Sequence, residues 1–237
     1  MTIKKILLFL LTGAGLLLSQ PDNFYQNYEI FLNNYVTDGL VNYRGIIKNK
    51  AMFNEIIESI SKFDPGQLKE KTAKKAYLIN VYNISVIANV INNYPVENPL
   101  KVPNFFKDKN SIVGGEKYSL DEIEHDLLFP IDKDPRLHFA LVCAARGCPE
   151  LLDIAYKPKV LEKMLAEKSS VTVNSSKYVK HENGVLYLSE IFKWYKKDFG
   201  GEDKLVIRFI NNYLPEKIPE NVEIKYLKYD WGINEFK

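Results

Sequence analysis

Cysteine is nearly absent from this 237-residue chain: there are two, Cys143 and Cys148, and one of three histidines, His138, lies within eleven residues of them. The close cysteine pairs and the fourth ligand of a structural zinc site are missing, so His138, Cys143 and Cys148 make a poor ligand set and no metal is expected. There is no glycine-rich phosphate loop and no dinucleotide fingerprint, since Gly114-Gly115 is a lone turn signal. No cofactor is expected either. An excess of one charge is lacking too: 32 Lys and Arg stand against 30 Asp and Glu, a net charge of +2, interspersed along the chain. That pattern lacks the basic footprint of a nucleic-acid partner, and the lysine runs at 69–75 and 193–197 fall on helical patterns as solvated faces. No repeat, low-complexity linker or long Pro/Gly break divides the chain, which favours one domain over residues 20–237.

Long apolar runs are confined to the N-terminus. Lys4-Lys5 precedes an apolar stretch from Ile6 to Leu18, and polar sequence begins at Ser19-Gln20-Pro21. A basic start, a core short for a membrane span and a small residue at the boundary describe a secretory signal over residues 1–19. No cysteine follows the run to carry a lipid, and no later segment is long and apolar enough to cross a bilayer. The expectation is a secreted or periplasmic protein, soluble and without a membrane span once the signal is removed.

What is present is an ordinary globular composition, 46% hydrophobic and 26% charged, with 15 Tyr and 13 Phe. Helical spacing appears at Phe24, Tyr28, Phe31 and Tyr35, and again over 51–63 until Asp64-Pro65-Gly66. Thr72 reads as the cap of the longest apolar helix, 73–92, whose apolar residues surround most of its circumference. Asn80 and Asn83 interrupt that surface. Strand patterns collect later: 111–118 around Gly114-Gly115, 137–144, 171–173, 178–181 with 185–188 across Asn183-Gly184, and 222–229. Aromatic-rich 189–199 and 204–213 read as helices. The order predicts an α+β fold, a buried central helix against a small antiparallel or mixed sheet.

Read as a strand, 137–144 ends in a small-residue turn and delivers Cys148 to the start of a helix at Pro149, where unpaired N–H groups lower a thiol's pKa. Cys148 is then a candidate nucleophile, and Cys143 a small packing residue. In an oxidising compartment a Cys143–Cys148 disulfide is an equal alternative. Two histidines compete as base. His138 starts a strand about 20 Å long, so the chain must fold back for it to meet Cys148. His125 follows the capping box Ser119-x-x-Glu122 and points away from Leu120, Ile123 and Leu127, into a cleft or into water. Glu124, near the edge of that helix's apolar stripe, needs a partner: a histidine it orients, or Arg136. His181 lies beside a turn and reads as exposed. Trp194, Tyr195 and Trp231 could form a sugar-binding shelf, although aromatics at helical spacing are usually core.

The motifs Ala76-Tyr-Leu-Ile-Asn80-Val-Tyr82-Asn83, Ser119 to His125, His138 to Cys143 with Gly147-Cys148-Pro149, Leu188 to Tyr195 with Asp198-Phe199, and Tyr229-Asp230-Trp231 follow one another in order. Together with Tyr35 to Tyr43, this succession resembles the domain-of-unknown-function family 547 over nearly all of residues 20–237. The resemblance implies a bacterial protein that is exported or lipid-anchored in many cases, a fold similar to papain-like or transglutaminase-like cysteine enzymes, and an ordered Glu, His, Cys set at Glu124, His138 and Cys148. It implies no substrate. Gly147 stands where such proteins often have Ser, a change expected to loosen the turn.

The combined expectation is a cysteine-dependent hydrolase or acyltransferase acting on an amide or thioester of a peptide or small molecule. Cys148 would attack, His138 or His125 would carry the proton, Glu124 would hold the histidine, and N–H groups at the helix start would take the oxyanion. The alternative is a non-catalytic envelope binding module with the two cysteines joined. A redox role for the Cys-x4-Cys pair is a third. Export is checked by N-terminal mass spectrometry of the envelope fraction, where the chain should begin near Gln20 or Pro21; Met1 in that pool would overturn the expectation.

Overall fold

The computed structural model describes residues 20–236, so the expected signal over 1–19 lies outside the described residues. In chain order the elements are helix α1 (Gln20–Tyr35), strands β1 (Val36–Thr37) and β2 (Leu40–Val41), helices α2 (Tyr43–Lys48), α3 (Ala51–Lys62) and α4 (Lys71–Asn92), strands β3 (Ser111–Val113) and β4 (Glu116–Tyr118), helix α5 (Leu120–Glu122), which widens into a π-helical turn over Ile123–Leu128, helices α6 (Leu137–Ala140) and α7 (Leu161–Val173), strands β5 (Val179–Glu182) and β6 (Val185–Ser189), helices α8 (Ile191–Trp194) and α9 (Asp203–Asn211), and strand β7 (Glu223–Leu227). The fold is α+β. Among the described residues no helix is long and apolar enough to cross a membrane.

Local sequence accounts for most of these elements. The aromatic ladder of α1 buries Phe24, Tyr28 and Phe31 with stacked rings. Phe53, Ile56 and Ile60 turn the same face of α3 inward, and the helix ends where Asp64-Pro65 begins a new turn. Asn183-Gly184, both at positive φ, closes the β5–β6 hairpin in register Glu182↔Val185. Strand β7 then adds to β6 in parallel, Leu188 opposite Tyr226, giving a mixed sheet in the order β5-β6-β7.

Two hydrophobic clusters form around different elements. The first surrounds α4, which buries 16 of its 22 residues and is flanked by α2, the π-helical turn after α5 and the 3-10 turn Pro158–Val160. The second joins β6, α8 and α9 with Phe139. The expected packing of the central helix against the sheet is therefore corrected: α4 sits among helices, and the sheet has its own core. Residues 137–145 supply side chains to both clusters, so this segment is their seam.

Several local expectations change. Residues 137–144 are a single helical turn followed by irregular chain, because Asp134-Pro135 starts a helix: the Asp134 carboxylate accepts from the Arg136 N–H at 3.0 Å. No helix begins at Pro149. The backbone of the following segment is held by side chains instead: Asn80 bonds both the N–H (2.9 Å) and the carbonyl (2.8 Å) of Tyr156, Asn33 bonds the Asp153 carbonyl, and Lys168 bonds that of Glu150. Residues 171–173 end α7, whose buried Leu161, Met164, Leu165, Lys168, Ser169 and Thr172 keep helical spacing. Helix α4 starts earlier than Thr72, at Lys71, with no side-chain cap.

Asn83 is the second amide that α4 carries into the interior. Its Nδ2 donates to the Ala140 carbonyl and its Oδ1 accepts from the Val142 N–H, each at 3.0 Å. Asn83→Leu would strand two buried backbone groups, a loss of about 2–4 kcal/mol, and should displace the His138 segment. Urea unfolding and the histidine ring resonances test this; lost stability with unmoved His138 resonances would make Asn83 a packing residue only.

Candidate functional site

The loop that carries the cysteines is bent and clamped. Ala144 holds φ 61°, a left-handed conformation that a residue with a Cβ seldom adopts. The C-terminal segment supports it: Arg146 N–H donates to Gly232 O and Gly147 N–H to Asp230 O, both at 2.7 Å, and Asn234 N–H donates to Ala144 O at 2.9 Å. At Gly147 a Cβ would meet the Asp230 nitrogen and the Tyr229 ring at 2.9 Å. The glycine thus permits a close approach, which corrects the expectation of a loosened turn.

Cys143 and Cys148 are joined as a disulfide. Cys148 is buried, its sulfur accepts from the Cys143 backbone N–H at 2.9 Å, and its carbonyl accepts from the Tyr178 hydroxyl at 2.7 Å. Cys143 is half-buried, with the Tyr229 hydroxyl 3.1 Å from its sulfur. The helix start expected to polarise Cys148 is not there, and neither are its N–H donors.

His138, on α6, is buried and lies flat against Tyr195, ring centroids 3.7 Å apart. Its Nε2 is 2.8 Å from Asp198 Oδ2, whereas Nδ1 is 3.9 Å from Glu124 Oε1, beyond hydrogen-bond length. Asp198, in the turn after α8, therefore orients the ring through Nε2–H and leaves the lone pair on Nδ1. Burial pushes His138 well below its ordinary pKa, against the pull of Asp198, so the ring is neutral at physiological pH. Glu124 is buried as well. Desolvation, reinforced by the Asp121 charge and opposed by the Tyr82 hydrogen bond, pushes its pKa up to about 7. A carboxyl that still holds protons at neutral pH thus stands beside the free nitrogen of a neutral imidazole.

One cavity of about 250 Å³ brings the sequence candidates together: Glu124, His125, His138, Cys143 and Cys148 all line it, with Asp121, Tyr82, Tyr195, Trp194 and Trp231. His125 is exposed, at the cavity wall. His181 is exposed on β5. Arg136 pairs with Asp134 and Glu162 and not with Glu124. Trp194 and Trp231 line the cavity, Trp194 with 44% of its surface exposed, so they are wall residues and not core. A second cavity, about 470 Å³, shares Cys148, Pro149 and Tyr229 with the first. Among the described residues no group of three His, Cys, Asp or Glu is arranged to hold a metal ion.

Asp198 has no role assigned from the sequence, where it stands only within the Asp198-Phe199 motif; its neighbours Tyr195 and Phe199 both pack on the His138 ring.

The buried acid and the buried imidazole act on the pH response in opposite directions. Between about 4.5 and about 7 the folded protein keeps the Glu124 proton that the unfolded chain releases, so the Glu124 contribution to stability falls as pH rises through that window, while the lowered pKa of His138 makes its own contribution rise as pH climbs toward the ordinary imidazole range. Glu124→Gln should remove this loss, gaining on the order of 2–3 kcal/mol over wild type between pH 5 and pH 8 in urea unfolding. A difference that does not change with pH would show that Glu124 is solvated.

No curated protein and no solved structure matches the chain. Residues 65–170, which run from the turn before α4 into α7 and carry Glu124, His125, His138 and both cysteines, match the family described as "Protein of unknown function, DUF547".

Proposed function

We propose that this protein is an exported, cysteine-dependent hydrolase or acyltransferase acting on an amide or thioester, on a fold of papain-like or transglutaminase-like type. The observation that carries the reading is the convergence of Cys148, His138 and Glu124 on one cavity, with the His138 ring oriented by Asp198 at 2.8 Å. A neutral imidazole and a cysteine on the wall of one cavity supply the two groups that a thiol nucleophile needs. In the reaction Cys148 Sγ attacks the carbonyl carbon, His138 takes the thiol proton and returns it to the leaving amine or thiol, and water or an acceptor nucleophile then releases the acyl group.

The disulfide must open first. Two thiol groups of a reductant supply two electrons and two protons, leaving Cys143 and Cys148 as thiols and the reductant as a disulfide. The Cys143 N–H at Cys148 Sγ is the donor that favours the thiolate.

The same disulfide favours a second reading, a non-catalytic binding module on this fold in which the bond staples the loop that lines the two cavities. Iodoacetamide labelling separates the two. As purified, neither cysteine should react. After dithiothreitol, an enzyme should label at Cys148 faster than at Cys143, with a pH midpoint below the ~8.5 of a free cysteine. His138→Ala should raise that midpoint and abolish turnover of a chromogenic thioester, and His125→Ala should leave the midpoint in place. Equal labelling at the two thiols, with a midpoint unmoved by His138→Ala, would withdraw the catalytic reading in favour of the binding module.

A further inference from the structure

Trp194 and Trp231 are the only tryptophans of the chain, and both stand on the wall of the His138 cavity. Their ring centroids lie 5.6 Å apart, and Tyr229 packs against both at 4.8 and 4.7 Å. Tyr82, Tyr195 and Phe106 continue the aromatic lining.

The charge of this wall is one-sided. Its ionisable groups besides tyrosine and cysteine are Asp121, Glu124, His125 and His138, and no lysine or arginine is among the described residues lining it, in a chain with 32 of them. Asp198 adds a further carboxylate on the opposite edge of His138. The second cavity that Cys148 lines differs, since Arg146, Lys177 and Lys228 line it together with Asp38, Glu150 and Asp230.

An anionic group entering the His138 cavity would meet the Asp121 carboxylate and find no lysine or arginine to pair with, a costly burial. A cation would meet a wall of aromatic rings, whose faces attract cations through their quadrupoles, and the Asp121 carboxylate. The outer part of the wall is apolar: Leu100 is 55% exposed and Trp194 44%. That surface suits a hydrocarbon stem leading to the charge. The volume, about 250 Å³, suits a small headgroup.

We propose that the His138 cavity binds a cationic group on an apolar stem, an alkylammonium of the lysine side-chain or quaternary-amine type, as the part of the substrate or ligand that this site reads. The inference rests on the proposed reading of this cavity as the ligand site, and it is tested through binding alone.

Because both tryptophans lie at the cavity, intrinsic tryptophan fluorescence reports from it. The full exported chain, disulfide intact and again after reduction, is titrated with n-butylammonium, butyrate and n-butanol, which share one stem. Butylammonium should bind about tenfold more tightly than either of the others. Asp121→Asn should weaken butylammonium about fivefold and leave butanol unchanged. Butyrate binding as tightly as the amine, butanol matching it, or no fluorescence response to any of the three would overturn the inference, and the wild-type series decides it even if the variant does not fold. No turnover is read, so a protein that binds the amine yet never labels at Cys148 keeps this inference and loses the thiol chemistry, and the reverse outcome does the opposite.

Discussion

Asn83 reaches from the buried interior of α4 to the Ala140 carbonyl and the Val142 N–H, 3.0 Å from each. Those two groups flank Leu141, in a stretch where the chain has left α6 and has no regular partner. One side chain therefore lets irregular backbone lie in the interior without unpaired polar groups. Asn80 does the same, one turn away, for Tyr156. A helix buried around its circumference would normally carry only apolar residues. Here Asn80 and Asn83, two of its three buried amides, hold the chain on either side of the cysteine loop, Asn89 bonds the Phe105 carbonyl, and Asn83 anchors the segment that follows His138.

The start of α6 is held by charge. Lys75, also buried on α4, contacts Asp132, Asp134 and Glu162, and Arg136 pairs with the same Asp134 and Glu162. Buried charges tolerate no missing partner, so this group fixes where the Asp134-Pro135 turn launches His138. From there the ring passes into the seam between the two hydrophobic clusters, pressed on Tyr195 and bonded to Asp198. Both of those residues follow β6, in the second cluster's part of the chain. The cavity thus depends on residues from both cores, and its chemistry is assembled only when they close on one another.

The disulfide and the cavity pull the functional reading in different directions, and each has its own physical basis. A neutral, carboxylate-oriented imidazole beside a buried acid is an arrangement for moving protons. A closed disulfide in a clamped loop is an arrangement for holding shape. Redox state connects the two, because Cys148 lines both cavities, and its sulfur is available as a thiol only once the bond to Cys143 is opened.

The sequence by itself determined the helices α1, α3 and α4 and the hairpins at Gly114-Gly115 and Asn183-Gly184, though not the short one across Asp38-Gly39, because apolar spacing and positive-φ turn residues act over a few neighbouring positions. It also marked Glu124, His125, His138 and Cys148, the last three of residue types that are scarce in this chain. Tertiary structure decided the rest. Residues 137–144 have the apolar run of a strand, yet Asp134-Pro135 starts a helical turn and Asn83 pairs the backbone that follows. Pro149 could have opened a helix, but side chains from α1, α4 and α7 take up the carbonyls and N–H groups that a helix would have used. Asp198 lies sixty residues from His138 in sequence, and only the closing of the second cluster brings it to the imidazole. Local patterns encode the backbone state of a segment; which carboxylate meets which ring is set by long-range packing, which no local spacing records.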